Sequence, residues 1–87
     1  MLTVYSKNHC PFCDKAKHLL TTKGIKYTEV KIDEDSEARE WLIGQGHRTA
    51  PQIYLGDQLF VEGGYQGLAK LSDEEINQKL GDSIANN

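Results

Sequence analysis

Two cysteines near the start of the chain are the residues best suited to chemistry. In the stretch NHCPFCDKAKHLL, Cys10 is followed directly by Pro11, and Cys13 lies three positions after Cys10. Cysteine thiolates bind metal ions, close disulfide bonds and exchange electrons with other disulfides. The spacing alone therefore leaves three uses open: a metal site, a structural disulfide and a redox pair.

A structural disulfide is disfavoured by the small number of cysteines. The chain has 87 residues and only two cysteines, so it lacks a disulfide framework. A Cys10–Cys13 bridge would close a very short loop, and such a bridge constrains the unfolded chain little. In a reducing cytosol, a close cysteine pair is more often catalytic or metal-binding than structural.

A metal site is disfavoured by the spacing of the other candidate ligands. A structural zinc ion needs four ligands, commonly two cysteine pairs, whereas this chain adds only His9, His18 and His47 to one pair. His9 directly precedes Cys10, which is not a recurrent chelating spacing. We therefore assign no metal ligand and keep a metal-carrying binding module, comparable to small copper chaperones, as a remote alternative.

Charge and hydropathy exclude two further classes of function. The net charge is -3 at pH 7, and no basic run is present, so nucleic-acid binding is not expected. The apolar runs span only a few residues, and the N-terminus lacks a signal-peptide core, so we expect no membrane association and a cytoplasmic location. The length fits one monomeric domain over residues 1–87, with residues 82–87 expected to form a frayed tail.

Hydrophobic periodicity predicts the elements that place the cysteines. LTVYS, at residues 2–6, is rich in β-formers and predicts a strand. From Pro11 the apolar residues recur with helical spacing, and Lys23-Gly24 provides a stop. KYTEVKI, at residues 26–32, alternates and predicts a second strand. Cys10 is therefore expected where a strand has ended and a helix begins.

The second half of the chain predicts two helices around a hairpin. Ser36 is expected to cap a helix that ends near Gly44. PQIYL and QLFVE are short β-runs on either side of Gly56-Asp57, which predicts a hairpin. GGYQGLAKL then opens a short third helix.

A fourth helix has the strongest start signal in the chain. Ser72 and Glu75 have the spacing of a capping box, Leu71 and Ile76 that of a hydrophobic staple, and Gly81 follows as an expected stop. The resulting order, β-α-β, α, β-β-α-α, predicts an α/β fold of thioredoxin type, with a small mixed sheet packed between helices.

The position of Cys10 favours the redox use of the pair. The first N–H groups of a helix lack internal partners, and together with the helix dipole they stabilise a thiolate there. We expect the pKa of Cys10 to fall below the free value of about 8.5. Cys13, about one turn further along, is expected to be more enclosed, so Cys10 would attack a disulfide and Cys13 would resolve the mixed disulfide.

Three segments together resemble a known family. YSKNHCPFC, RTAPQIYL and GGYQGL are similar, in order and spacing, to the signature segments of dithiol glutaredoxins. The resemblance runs from the first strand through Leu71. It implies a thioredoxin-like fold with a four-stranded sheet, a cis peptide bond before Pro51 beside the reactive cysteine, and no bound cofactor or metal.

The resemblance also implies a glutathione site. The backbone of Ala50 would pair with the bound peptide, Gly64 to Gln66 would hold its γ-glutamyl carboxylate, and Lys7 would pair with its glycyl carboxylate. The residues that match the family motifs are Lys7, Phe12, Thr49, Ala50, Pro51, Gly64, Tyr65 and Gln66.

One departure from the family pattern bears on the reducing partner. Many glutaredoxins have one or two acidic residues where this chain has Gln66 and Gly67, and an aspartate there would pair with the glutathione amine. We expect a glutathione-dependent thiol–disulfide oxidoreductase that reduces protein disulfides and glutathione mixed disulfides. The alternative is a redoxin that is recycled by thioredoxin reductase and donates electrons to ribonucleotide reductase.

Overall fold

A four-stranded mixed sheet forms the centre of the molecule. The computed structural model describes residues 2–85, with side chains described through Gly81. The strands are β1 (Leu2–Ser6), β2 (Tyr27–Lys31), β3 (Gln52–Leu55) and β4 (Gln58–Val61). Their order across the sheet is β2-β1-β3-β4, with β1 parallel to β2 and antiparallel to β3.

Four helices complete the predicted order of elements. They are α1 (Pro11–Thr22), α2 (Ser36–Gly44), α3 (Gly64–Lys70) and α4 (Asp73–Ala85). Since parallel strands need a crossover, α1 connects β1 to β2, whereas β3 and β4 form a hairpin. The thioredoxin-like fold expected from the sequence is confirmed. No helix in residues 2–85 has the length and apolar character needed to cross a membrane.

Helices cover both faces of the sheet because the side chains of β1 alternate between them. Leu2 and Val4 are buried on one face, in a core to which α1, α3 and α4 also contribute. On the other face, the ring of Tyr5 lies 5.7 Å from that of Trp41, which belongs to α2. The core residues are Leu2, Val4, Ala16, Leu20, Ile53, Phe60, Leu68 and Ile76.

The hairpin turn explains the Gly-Asp order of its two loop residues. Gly56 has a φ of +66°, whereas Asp57 is not among the residues with positive φ. A turn of type II′ needs positive φ only at its first central residue, so glycine comes first.

The start of α2 differs from the prediction. Ser36 is the first helical residue and not the cap; the cap is Asp35, whose side chain accepts a hydrogen bond of 3.1 Å from the N–H of Ala38. Both residue types cap helices well, and they are neighbours, so the spacing did not distinguish them.

The end of α4 also differs from the prediction. The helix continues through Gly81 to Ala85, so Gly81 is not the stop that the sequence predicted; residues 86 and 87 lie outside the described residues, and the frayed tail over 82–87 stays a prediction. Gly81 does not have the positive φ of a helix-ending glycine, and a glycine within a helix costs only about 1 kcal/mol. The predicted capping box at the start of α4 is confirmed: Ser72 Oγ accepts from the N–H of Glu75, and the Glu75 carboxylate accepts from that of Ser72.

A half-buried ion pair connects α1, one turn after Cys13, to strand β2 of the sheet. Lys17 Nζ lies 2.7 Å from the carboxylate of Glu29, which also accepts a 2.6 Å hydrogen bond from the buried hydroxyl of Ser6. The hydrogen bonds from Lys17 and Ser6 hold the pKa of Glu29 below its ordinary value of 4.5. The same contact with Glu29 raises the pKa of Lys17.

These pKa directions predict how stability depends on pH. The contribution of Glu29 is present above about pH 4.5 and is lost as the pH falls through its lowered pKa in the folded state. Glu29→Gln should therefore lower the free energy of unfolding by about 1–2 kcal/mol at pH 7, and the difference should shrink as the pH falls below about 4.5. Urea unfolding at several pH values measures this, with the exposed Glu40→Gln as control. A difference that stays constant down to pH 3 would contradict the assignment.

Candidate active site

Cys10 caps α1 with its own sulfur. Its backbone is extended, with φ −120° and ψ 98°, and its Sγ accepts a 3.2 Å hydrogen bond from the N–H of Cys13. The predicted position at the junction of strand and helix is confirmed. Because this N–H is one of the donors that a helix start leaves without an internal partner, it would stabilise negative charge on the sulfur in the reduced protein.

The two cysteines are joined as a disulfide, so the structure is that of the oxidised protein. Their Cα atoms are 5.2 Å apart. Cys10 has 6% of its surface exposed and Cys13 has none. A substrate sulfur approaching from solvent therefore reaches Cys10 first, and Cys13 is placed to attack only a sulfur already bonded to Cys10.

Hydrogen bonds hold the loop before Cys10 against the β2–α2 connection. The N–H of Asn8 donates to Asp33 at 3.0 Å, and its side chain bonds Glu34 and Lys31 at 2.7 and 2.9 Å. The Asn8 N–H lowers the pKa of Asp33. His9, between Asn8 and Cys10, has a φ of +57°, which is uncommon for a residue other than glycine. The sequence motifs gave no signal for these contacts.

The second predicted segment faces the cysteine sulfur. The Ala50–Pro51 peptide bond is cis, as the resemblance implied. Cys10 Sγ lies 3.8 Å from the carbonyl oxygen of Ala50. The side-chain amide of Gln52 donates to the backbone oxygen of Thr49 at 3.0 Å, which fixes this segment just before the cis bond.

The third predicted segment packs its backbone against the second. Gly63 and Gly64 have φ values of +87° and +57°, which favour glycine. A Cβ atom at Gly64 would lie 2.6 Å from the carbonyl oxygen of Pro51, closer than such atoms pack. A side chain at position 64 would therefore separate the start of α3 from the cis-proline segment.

A cleft of about 510 Å³ lies where these segments meet. Seven of the eight residues expected to bind glutathione line it: Phe12, Thr49, Ala50, Pro51, Gly64, Tyr65 and Gln66. Lys7 does not; it lines a neighbouring cavity of about 560 Å³ together with Arg39 and Arg48. The fold thus brings seven of the predicted residues together, and the binding role of all eight stays a prediction.

Aromatic rings form one rim of the cleft. Phe12 is 47% exposed, and its ring centroid lies 6.2 Å from that of Tyr65. The ammonium group of Lys15 lies 5.2 Å from the Phe12 ring and 5.9 Å from the Tyr65 ring. This rim offers an apolar surface with a cation above it, next to the cysteine pair.

Sequence reasoning missed several residues that line the cleft. His47, to which the sequence assigned no site role, lines the cleft, and its Nε2 lies 2.5 Å from the hydroxyl of Tyr54. Burial raises the pKa of that hydroxyl. Glu62 directly precedes the Gly63-Gly64 signature, and this adjacency was the one signal that could have identified it. The other missed lining residues are Gln45, Gln52, Leu59 and Gly63.

No metal centre is formed by the described residues. Within that part of the chain, no group of three or more histidine, cysteine, aspartate or glutamate side chains is placed to hold a metal ion.

Comparisons with known proteins agree with the geometry. The family model described as glutaredoxin matches residues 2–60. The chain is 47% identical over 57 residues to a probable glutaredoxin of Synechocystis sp., covering 63% of this chain but only 52% of that relative. It is 42% identical to the glutaredoxin-like protein NrdH of Lactococcus lactis, over 83% of this chain and 100% of that relative.

A solved structure has the same arrangement of elements. The buckwheat glutaredoxin–glutathione complex superposes with a TM-score of 0.73 at 27% identity, over 93% of this chain and 76% of that one.

The contact between Gly64 and Pro51 predicts the effect of adding one methyl group. Gly64→Ala should lower the free energy of unfolding by about 1–3 kcal/mol, because alanine is strained at positive φ and its Cβ would strike the Pro51 carbonyl. Urea unfolding measures the change. Gly44→Ala is the matched control: it lies in a helix with open space around it and should be neutral or slightly stabilising. Equal effects of the two substitutions would show that this contact is not a constraint.

Proposed function

Since this chain belongs to the glutaredoxin family, we propose that it is a glutathione-dependent thiol–disulfide oxidoreductase acting through Cys10 and Cys13. One observation carries the proposal: the sulfur of Cys10 caps the start of a helix and lies 3.8 Å from the carbonyl oxygen of Ala50, a residue of the cis-proline segment that lines the cleft. We further propose that the protein acts as a monomer in the cytoplasm and needs no bound cofactor.

The positions of the two sulfurs support a two-step reduction of substrate. The Cys10 thiolate attacks one sulfur of a disulfide, forms a mixed disulfide and expels the other sulfur as a thiolate, which takes a proton. Cys13 then loses its proton and attacks Cys10 Sγ, which releases the second substrate sulfur. The product is the Cys10–Cys13 disulfide, which is the state that the structure holds.

Two molecules of glutathione would return the protein to its reduced form. The first thiolate attacks Cys10 Sγ, the sulfur of the less buried cysteine, and frees Cys13. The second attacks the glutathione sulfur of the mixed disulfide, which yields oxidised glutathione and the Cys10 thiolate. Two electrons pass from two glutathione molecules to the protein, so the cycle needs no other cofactor.

The cleft supports glutathione as the partner of these steps. Its volume falls in the range of about 300–1,000 Å³ that small-molecule sites occupy. The backbone of Ala50 lies beside Cys10 Sγ, where it would pair with the peptide groups of a bound tripeptide. Gly64, Tyr65 and Gln66 would receive the γ-glutamyl end. The buckwheat glutaredoxin that shares this fold was solved as a glutathione complex.

The unequal exposure of the cysteines predicts different effects of replacing them. Cys10→Ser should abolish reduction of every disulfide substrate, because the attacking sulfur is lost. Cys13→Ser should still reduce glutathione mixed disulfides, because glutathione replaces the buried sulfur as the resolving thiol, but it should lose most activity on protein disulfides. Steady-state assays with both classes of substrate measure this. Equal losses in the two variants would contradict the division of roles.

A second candidate function rests on the match to the whole length of the glutaredoxin-like protein NrdH of Lactococcus lactis. In this alternative, thioredoxin reductase recycles the protein, which donates electrons to ribonucleotide reductase; that partner is inferred by family analogy. The neutral Gln66 and Gly67 fit this alternative, since they provide no charge for the glutathione amine.

The two candidates differ in the electron donor, which one comparison distinguishes. We expect glutathione with glutathione reductase to support reduction of hydroxyethyl disulfide at least about tenfold faster than thioredoxin reductase with NADPH. The reason is that the cleft provides a site for a tripeptide, whereas a reductase needs a complementary protein surface. NADPH consumption measures both rates, and Cys10→Ser is the blank. The opposite ratio would favour the redoxin function.

A further inference from the structure

The charges along the cleft are unevenly placed. Among the described residues that line it, Glu62 is the one with a carboxylate. It is exposed, and no described side chain forms a hydrogen bond or ion pair with it. Gln45 and His47, on the side formed by the loop after α2, contribute no negative charge. The region next to Gly63 and Gly64 is therefore where the cleft attracts a cation.

The backbone explains why Glu62 provides this charge. A Cβ atom at Gly67 would lie 1.7 Å from the carbonyl oxygen of Glu62 and 3.0 Å from a methyl group of Val61. No side chain therefore fits at position 67, because the Glu62 peptide occupies that space. Gln66 is neutral, so among the described residues that line this part of the cleft Glu62 is the one that carries negative charge.

The charges of glutathione match this arrangement in one orientation. The tripeptide carries two carboxylates and a single ammonium group, which is on its γ-glutamyl residue. The γ-glutamyl end is net neutral, because its ammonium is beside the second carboxylate, whereas the glycyl end is net negative. With the sulfur at Cys10 the two ends extend in opposite directions, so Glu62 favours the γ-glutamyl end, whose ammonium it can pair with, over the glycyl carboxylate, which it repels. The cleft thus favours one direction of binding by charge, without requiring an acidic residue in the Gly-Gly segment itself.

We propose that Glu62 is the residue that selects and orients glutathione, by pairing with the ammonium group of its γ-glutamyl residue. The inference rests on the proposed glutathione-dependent function and adds a specificity-determining residue to it. The pair is exposed to solvent, so its effect is modest and weakens as salt screens it.

The test removes each partner of the pair in turn. We would measure kcat/KM in hydroxyethyl disulfide reduction for glutathione and for N-acetylglutathione, whose ammonium is replaced by a neutral amide. The wild-type protein and Glu62→Gln are compared, with Glu40→Gln as a control that changes the same charge on α2. Acetylation should cost the wild-type protein and Glu40→Gln about three- to fivefold, and Glu62→Gln should lose about as much with glutathione.

The decisive quantity is whether the Glu62→Gln substitution and the acetylation of glutathione have non-additive effects on kcat/KM. Acetylation should cost Glu62→Gln no further rate, and 0.5 M NaCl should reduce the wild-type preference for glutathione. Wild-type rates with Glu62→Gln, or equal losses on both thiols, would overturn the role of Glu62 while leaving the proposed function intact. Failure of the wild-type protein itself to turn over with glutathione would overturn the proposed function and this inference together, and the wild-type arm alone reveals that outcome.

Discussion

The sulfur of Cys10 is both the cap of α1 and the reacting atom, and the rest of the site depends on this double role. The N–H of Cys13 that the sulfur accepts from is a donor the helix cannot satisfy internally. Nucleophile and helix start are therefore fixed by one hydrogen bond. Everything that positions α1, including the ion pair of Lys17 with Glu29 and the loop contacts of Asn8, also positions the sulfur.

A second constraint places the cis-proline segment and the start of α3 beside that sulfur. The backbone of Gly64 lies against the carbonyl of Pro51, and the Ala50 carbonyl lies against Cys10. The second and third segments thus meet through main-chain atoms, and the first reaches the second through the Cys10 sulfur. Contacts between main-chain atoms tolerate changes in most side chains, but they do not tolerate a Cβ atom at position 64. The backbone therefore sets the shape of the cleft, and the side chains around it set its chemistry.

The features that the sequence predicted are those governed by local spacing. The placement of Cys10, the Gly56-Asp57 hairpin and the capping box at Ser72 each follow from a few consecutive residues. The cis bond before Pro51 came only from the family resemblance, because cis bonds occur at about 5–6% of prolines and no local pattern identifies them. The prediction of a helix cap failed where two adjacent residues can both cap the helix, as Asp35 and Ser36 can.

The motifs predicted most of the residues that line the cleft, but not all of them. Lys7 matches a motif, yet it lines a separate cavity beside Arg39 and Arg48, since distance along the chain does not fix position around a loop. His47 and Glu62 lie outside the motifs but line the cleft, because the fold brings the α2–β3 loop and the end of β4 to it. The motifs supply the backbone shape and the redox sulfurs that family members share. The proposed pairing of Glu62 with glutathione would add a charge from a residue between the motifs to this shared backbone shape.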